Sequence, residues 1–413
     1  MINIKYPLLL LFIVINSFST ALYSQTLTKE QWEEDISFFA SSIREHHPNP
    51  FKYISEKSFQ HQIDLLQENI PHMRDHEIMV KIMGILAQLN DGHTQLQPGS
   101  QFLTGQYPLS FIVCKDGIFV NKTPVALKGV LGKRLIKIGD MSAESSFQRV
   151  ATMTPHDNQQ TLKNWVPSIL IIPEILDALN ITPDRDQARF VFTDNNDREI
   201  ILDLVPLPFG KKMTWISKPS ADDLPLHLTN LKMNYWHKYL EEEQTLYIQY
   251  NKVQNAKSES IAEYFTRLSS LVDEIHPRYI ILDVRHNGGG NDYLNKPVVE
   301  WVENSLPKVN GKLYVIIGRG TYSAAQKLVT KLEASTEVIF VGEPTGSSPN
   351  HFGDPKSFQL PNSKLTLKIS SLYHNDAPGD ERKSLEPSIL IPFTSKDYFG
   401  GVDLVMKTIL SKQ

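Results

Sequence analysis

IILDVRHNGGG, residues 280–290, is the stretch whose reading decides the fold. Ile280, Ile281, Leu282 and Val284 form a short apolar run of the kind that a parallel strand buried on both faces requires. The run stops at Asn287 and three glycines, Gly288, Gly289 and Gly290. Residues without Cβ let the backbone turn sharply and bring its N–H groups close to a ligand. A lone GGG reads first as a flexible strand end. A second special turn follows one βα unit later, however. Residues 314–318 (YVIIG) make another buried-strand candidate, followed by Arg319-Gly320-Thr321-Tyr322-Ser323 and a helical pattern from Ala324. A serine at a strand-to-helix turn exposes its hydroxyl beside a helix N-terminus. Two neighbouring strand ends then offer a donor loop and a nucleophile, the pairing that acyl transfer needs.

On either side of this stretch the chain alternates strand and helix from residue 245: strand 245–250, helix 258–275, strand 279–284, helix 293–303, strand 312–317, helix 324–332, strand 337–341. Such βαβ alternation implies a mainly parallel sheet with right-handed crossovers. Residues 359–373 read as a hairpin turning at Pro361-Asn362-Ser363. Upstream, three stripes at helical spacing predict a helical N-terminal domain over 26–104: Trp32, Ile36, Phe39, Ile43; Phe59, Ile63, Leu66, Ile70; and Ile78, Ile82, Ile85, Leu89. Gly92 is the expected C-cap of the third. Residues 105–210 alternate strand-like runs with turns, 211–238 read as a polar connector, and 239–413 as the last domain. The fold class is therefore α/β and multidomain.

Composition bounds the function. With 413 residues, 41% of them hydrophobic, the chain can bury large cores, and a net charge of −4 gives no basic footprint for nucleic acid. Lys5, the apolar run 8–15 and small residues near Ala21 and Ser24 make residues 1–24 a cleavable secretory signal, since a bilayer span needs roughly 20 apolar residues. The expectation is an exported protein, periplasmic or extracellular, with no stable membrane span. The single cysteine, Cys114, excludes an intrachain disulfide and reads as a buried hydrophobe. Val80 stands where HExxH would need its second histidine after His76-Glu77, and none of the three Gly-Lys pairs precedes Ser or Thr. Zincin and P-loop chemistry are out, and no metal or cofactor is implied.

In motif order, DVRHNGGG, then TYSAAQKL, then VGEPTG resembles the tail-specific (C-terminal processing) and tricorn-core serine protease family. The resemblance implies a ClpP/crotonase-like spiral for the last domain and a PDZ-like middle domain, the latter carried by residues 131–139; a mixed α/β spacer is the alternative. It makes Ser323 the nucleophile, where local sequence alone favours a helix N-cap serine. The oxyanion hole would be backbone, from Gly288 or Gly289 together with Ala324. Family members that use a lysine base place it 25 residues after the serine, and Ser348 stands there. The tricorn-like branch uses a histidine from an LxDGHT element, here His93 in Leu89-Asn90-Asp91-Gly92-His93-Thr94, and a late glutamate, matched by Glu381 with Asp380 as rival. Departures are Gly92 where the tetrad has a serine, Gln326 for the usual Glu, and Ser388 for the usual Asp. The expected function is a serine peptidase acting on peptide or protein substrates. The alternative is a non-catalytic peptide- or ligand-binding protein, as the family's retinoid-binding relatives show. Oligomeric state is open.

Overall fold

The structure is a computed structural model that describes residues 26–99, 101–194, 198–220, 224–309 and 312–411; the expected signal segment, 1–24, lies outside them. The three predicted helices form as Lys29–His46, Glu56–Asn69 and Asp75–Ala87. Thr28 and Gln31 cap the first reciprocally, satisfying two otherwise orphaned donors. Their apolar stripes face one another, and the Trp32 indole N–H donates to Asp75 at 2.8 Å. The third helix stops at Ala87, and the left-handed residue beyond it is Asn90, at φ 47°, rather than Gly92.

The helices do not close a core by themselves. One apolar cluster runs from Trp32, Phe39 and Phe59 through Tyr107, Phe190 and Phe192 to Leu365 and Leu367. It joins the helices to a seven-stranded antiparallel sheet that includes Gly117–Pro124, Arg134–Ile138, Ala188–Thr193 and Glu199–Leu204. Strand Gln95–Gln97, just after His93, pairs with Thr366–Ile369, which with Lys356–Gln359 forms the predicted hairpin. Residues 211–238 are less of a bare connector than their polarity suggests. Trp215–Ser217 extends the middle sheet, and Tyr235–Leu240 begins the next one. Cys114 ends strand Ser110–Cys114, buried.

The last region is a six-stranded sheet: Tyr235–Leu240, Thr245–Tyr250, Tyr279–Asp283, Leu313–Ile317, Ile339–Gly342 and Ile389–Leu390, in that spatial order. All neighbours are parallel except the first pair. The central strands are buried on both faces, as their continuous apolar runs predicted. Helices Ile261–Ile275, Lys296–Ser305 and Ala324–Ser335 cover one face and Leu404–Ser411 the other. No described helix is long and apolar enough to cross a membrane.

Candidate active site

Asn287 is the peg that joins the two strand ends. Its side chain is fully buried; Nδ2 donates to the Tyr250 carbonyl at 2.9 Å and Oδ1 accepts from Gly289 N–H at 2.9 Å. Its carbonyl accepts from Tyr322 N–H at 3.0 Å, tying the glycine loop to the serine turn. Thr321 adds a second tie, donating from Oγ1 to the Val284 carbonyl at 2.9 Å. Asp283 and Arg285 brace the loop from below, and Arg285 also pairs with Asp403 at 3.0 Å. A Cβ at Gly289, whose φ is +99°, would lie 2.8 Å from Ser323 Cβ and 2.9 Å from Ala324 N. Only glycine allows that approach.

Ser323 opens helix Ala324–Ser335 at φ 54°, ψ −124°, and its side chain makes no capping hydrogen bond. An ordinary N-cap residue is extended and uses its oxygen to satisfy a helix N–H. Ser323 does neither, so the capping explanation fails. A non-glycine residue held there costs on the order of 1–3 kcal/mol, which the surrounding ties sustain. Among the described residues, the N–H groups of Gly288 and Ala324 have no acceptor, whereas that of Gly289 is spent on Asn287. Gly288 is exposed and a Cβ there would meet nothing within 4 Å. Of the three expected oxyanion donors, Gly288 and Ala324 are therefore the open ones.

The structure brings His93 to the same place. Its ring stacks on that of Tyr322, the residue before Ser323, with centroids 4.7 Å apart and Nδ1 at 3.2 Å from the phenol oxygen. Nε2 has no partner among the described residues, and neither has Ser323 Oγ. His351 also stacks on the His93 ring, at 5.8 Å. Its Nδ1 lies 3.0 Å from the Ser348 carbonyl, and burial, with His93 and His374 nearby, lowers its pKa to about 3. Ser348 Oγ, at the position of the alternative lysine base, donates to the Lys383 carbonyl. Lys327, one helical turn past Ser323, is occupied by Asp292 at 2.9 Å.

Glu381 is not brought to His93. It is exposed and makes no hydrogen bond or ion pair among the described residues. Asp380 is clamped by Arg382, which also grips Glu333. The loop is tied to Asn350, whose Nδ2 donates to the carbonyls of Ala377 and Asp380.

The carboxylates beside His93 come from elsewhere. Asp91 Oδ1 accepts the His93 N–H at 2.8 Å, while Oδ2 lies 3.1 Å from His47 Nε2 and accepts from Thr94 Oγ1. Burial would raise the Asp91 carboxyl, yet the His47 contact and the His93 charge outweigh it and hold it at about 2. Asp157, reached from the middle region, accepts from Gly92 N–H at 2.8 Å and from Ser347 Oγ at 2.5 Å. Its burial, more than its neighbours, raises its pKa. Asp91, His93 and Asp157 place ligand-capable atoms within 4.8 Å of one another, a spacing that can hold a metal ion, though each carboxylate is already engaged. Sequence reading missed Asp157, Tyr322, Ser347 and His351. Asp91 alone had a signal, being part of the LxDGHT element.

A separate cleft of about 310 Å³ lies behind the two turns, lined by His227, Arg285, His286 and Arg319 and not by Ser323 or His93.

No family model matches the chain, and no curated protein does. Solved structures do. Mature CPAF complexed with lactacystin superposes with a TM-score of 0.67 at 12% identity, over 93% of this chain and 99% of that one. Mature CPAF alone gives 0.67 at 12% identity, over 93% and 98%. The photosystem II D1 C-terminal processing protease is a looser neighbour, with a TM-score of 0.43 at 15% identity over 92% and 99%. This chain has the fold of mature CPAF.

Proposed function

We propose that the chain is an exported serine peptidase of the tail-specific/tricorn-core type, cleaving peptide or protein substrates through an acyl-enzyme on Ser323. His93 Nε2 takes the Ser323 hydroxyl proton as Oγ attacks the scissile carbonyl. The imidazolium then returns that proton to the leaving amine, and water completes the cycle in the reverse sense. The developing oxyanion is met by the N–H groups of Gly288 and Ala324, donors that need no reorganisation when the charge appears.

One observation carries this reading: Ser323 sits in a strained conformation, with no capping bond, against Gly289, where a Cβ would collide with it. The CPAF-like fold agrees with it. The test is labelling with a fluorophosphonate followed by peptide mapping. Adduct on Ser323, abolished in Ser323→Ala, is expected. A folded wild-type protein that takes no label would leave the non-catalytic binding scaffold as the better reading.

A further inference from the structure

The base histidine needs a partner that fixes its tautomer, and Glu381 is not beside it. What is beside it is a hydroxyl. Tyr322 Oη lies 3.2 Å from His93 Nδ1. The same oxygen and an Asp157 carboxylate oxygen both crowd the Cα of Gly92, and the Asp157 charge opposes ionisation of the phenol, adding to the larger effect of burial. The space the hydroxyl fills is the space a side chain at position 92 would take. A Cβ on Gly92 would be 2.2 Å from Tyr322 Oη and 3.1 Å from Asp157 Oδ1. Gly92 is thus small because the tyrosine reaches in over it.

Resting on the peptidase reading, we infer that Tyr322 is a positioning residue whose hydroxyl links Asp157 to His93 Nδ1 and holds the imidazole with Nε2 free to accept the Ser323 proton. A phenol has one proton to give. Given to the buried Asp157 carboxylate, it turns an oxygen lone pair toward His93, so Nδ1 must carry the imidazole proton. The lone pair then falls on Nε2, which has no partner among the described residues. During attack the Ser323 proton moves to Nε2, the Ser323 Oγ–carbon bond forms, and the phenol keeps its proton throughout. The acid that orients the base therefore comes from the middle region, through a side chain adjacent to the nucleophile. Ring stacking between His93 and Tyr322 holds the geometry.

The experiment has a direct arm and a kinetic arm, both on the full mature chain. Nitrogen-15 NMR of the histidines should show His93 as the Nδ1–H tautomer at neutral pH in the wild type and a mixture in Tyr322→Phe. Fluorophosphonate labelling of Ser323 should slow roughly 10- to 100-fold in Tyr322→Phe and in Asp157→Asn, with peptide kcat reduced and KM little changed. The double variant Gly92→Ser with Tyr322→Phe provides the rescue. Removal of Oη opens the site, the nearest ring atom lies 3.3 Å from the new Cβ, and Gly92 has no positive φ to forbid a side chain. It should recover most of the lost rate, and Gly92→Ser alone should be slow because Oη is still there. Wild-type labelling in Tyr322→Phe, or an unchanged His93 tautomer, overturns the inference while leaving Ser323 as nucleophile. If the wild type takes no label, the peptidase reading fails, and the tautomer measurement still decides whether Tyr322 orients His93.

Discussion

The Ser323 turn and the His93 loop meet at one place but are held there by different means. The turn is locked at short range and mostly through backbone: the Asn287 carbonyl on Tyr322 N–H, the close approach of Gly289 to Ser323, and one hydroxyl, Thr321 Oγ1 on the Val284 carbonyl. All of it lies within two adjacent βα units. The loop is locked by side chains, most of them drawn from far along the chain: His47 on Asp91, Asp157 on Gly92 and Ser347 on Asp157, with Thr94 adding a local bond to Asp91. The difference teaches where each half is vulnerable. A backbone-built turn fails when a Cβ is added. A network of buried carboxylates and imidazoles fails when charge is changed.

His93→Ala should have the largest effect, lowering the labelling rate and kcat/KM by roughly 100- to 10,000-fold, the usual contribution of a general base. Stopped-flow labelling measures it, and an unchanged rate would point to another base. Gly289→Ala comes next. The new Cβ at +99° collides with Ser323 and Ala324, and the displaced donors should cost roughly 100- to 1,000-fold in kcat, with KM much less affected.

The loop answers to pH instead. Asp91 is held at about 2 from an ordinary carboxyl value near 3.8, so its stabilisation is complete above pH 4 and is lost as pH falls toward 2. Asp91→Asn should lower unfolding free energy by about 2 kcal/mol at neutral pH and flatten the denaturation curve in that acid window. His351 acts over a different range. Its pKa of about 3 in the fold lies below the ordinary 6.5, so the unfolded chain binds the extra proton. Stability should therefore decline as pH falls from 6.5 toward 3. His351→Gln should reduce that slope by one proton, about 1.4 kcal/mol per pH unit, in chemical denaturation series.

The Ser323 half is legible because its contacts are local. Apolar runs ending in glycine and serine turns predict the strands, the turns and their βα spacing, and structure places Tyr279–Asp283 and Leu313–Ile317 where the pattern puts them. The His93 half is legible only as a motif. Nothing in the spacing of Asp157 ties it to Gly92, since a contact across 65 residues depends on how the middle region packs. Tyr322 was hidden for another reason: its neighbour Ser323 explains the turn without it. The edge strand Tyr235–Leu240 is not legible because its polar flanks read as linker. Glu381 is a positional match only: its neighbour Asp380 is held by Arg382 and Asn350, and its own side chain is exposed.

The smallest effects separate the halves most cleanly. Glu381→Gln and Lys327→Ala should leave the labelling rate within about twofold of wild type, since the first is exposed and the second is engaged with Asp292. A large loss in Glu381→Gln would show that the loop swings in to orient His93 and would displace Asp157 from that role.

The most direct measurement is a crystal structure of the fluorophosphonate adduct. The phosphoryl oxygen should lie about 2.7–3.1 Å from both Gly288 N and Ala324 N, with His93 Nε2 within hydrogen-bond reach of Ser323 Oγ. An adduct whose oxygen points away from the glycine loop, or a His93 ring turned from Ser323, would contradict the assignment of nucleophile, base and oxyanion donors together.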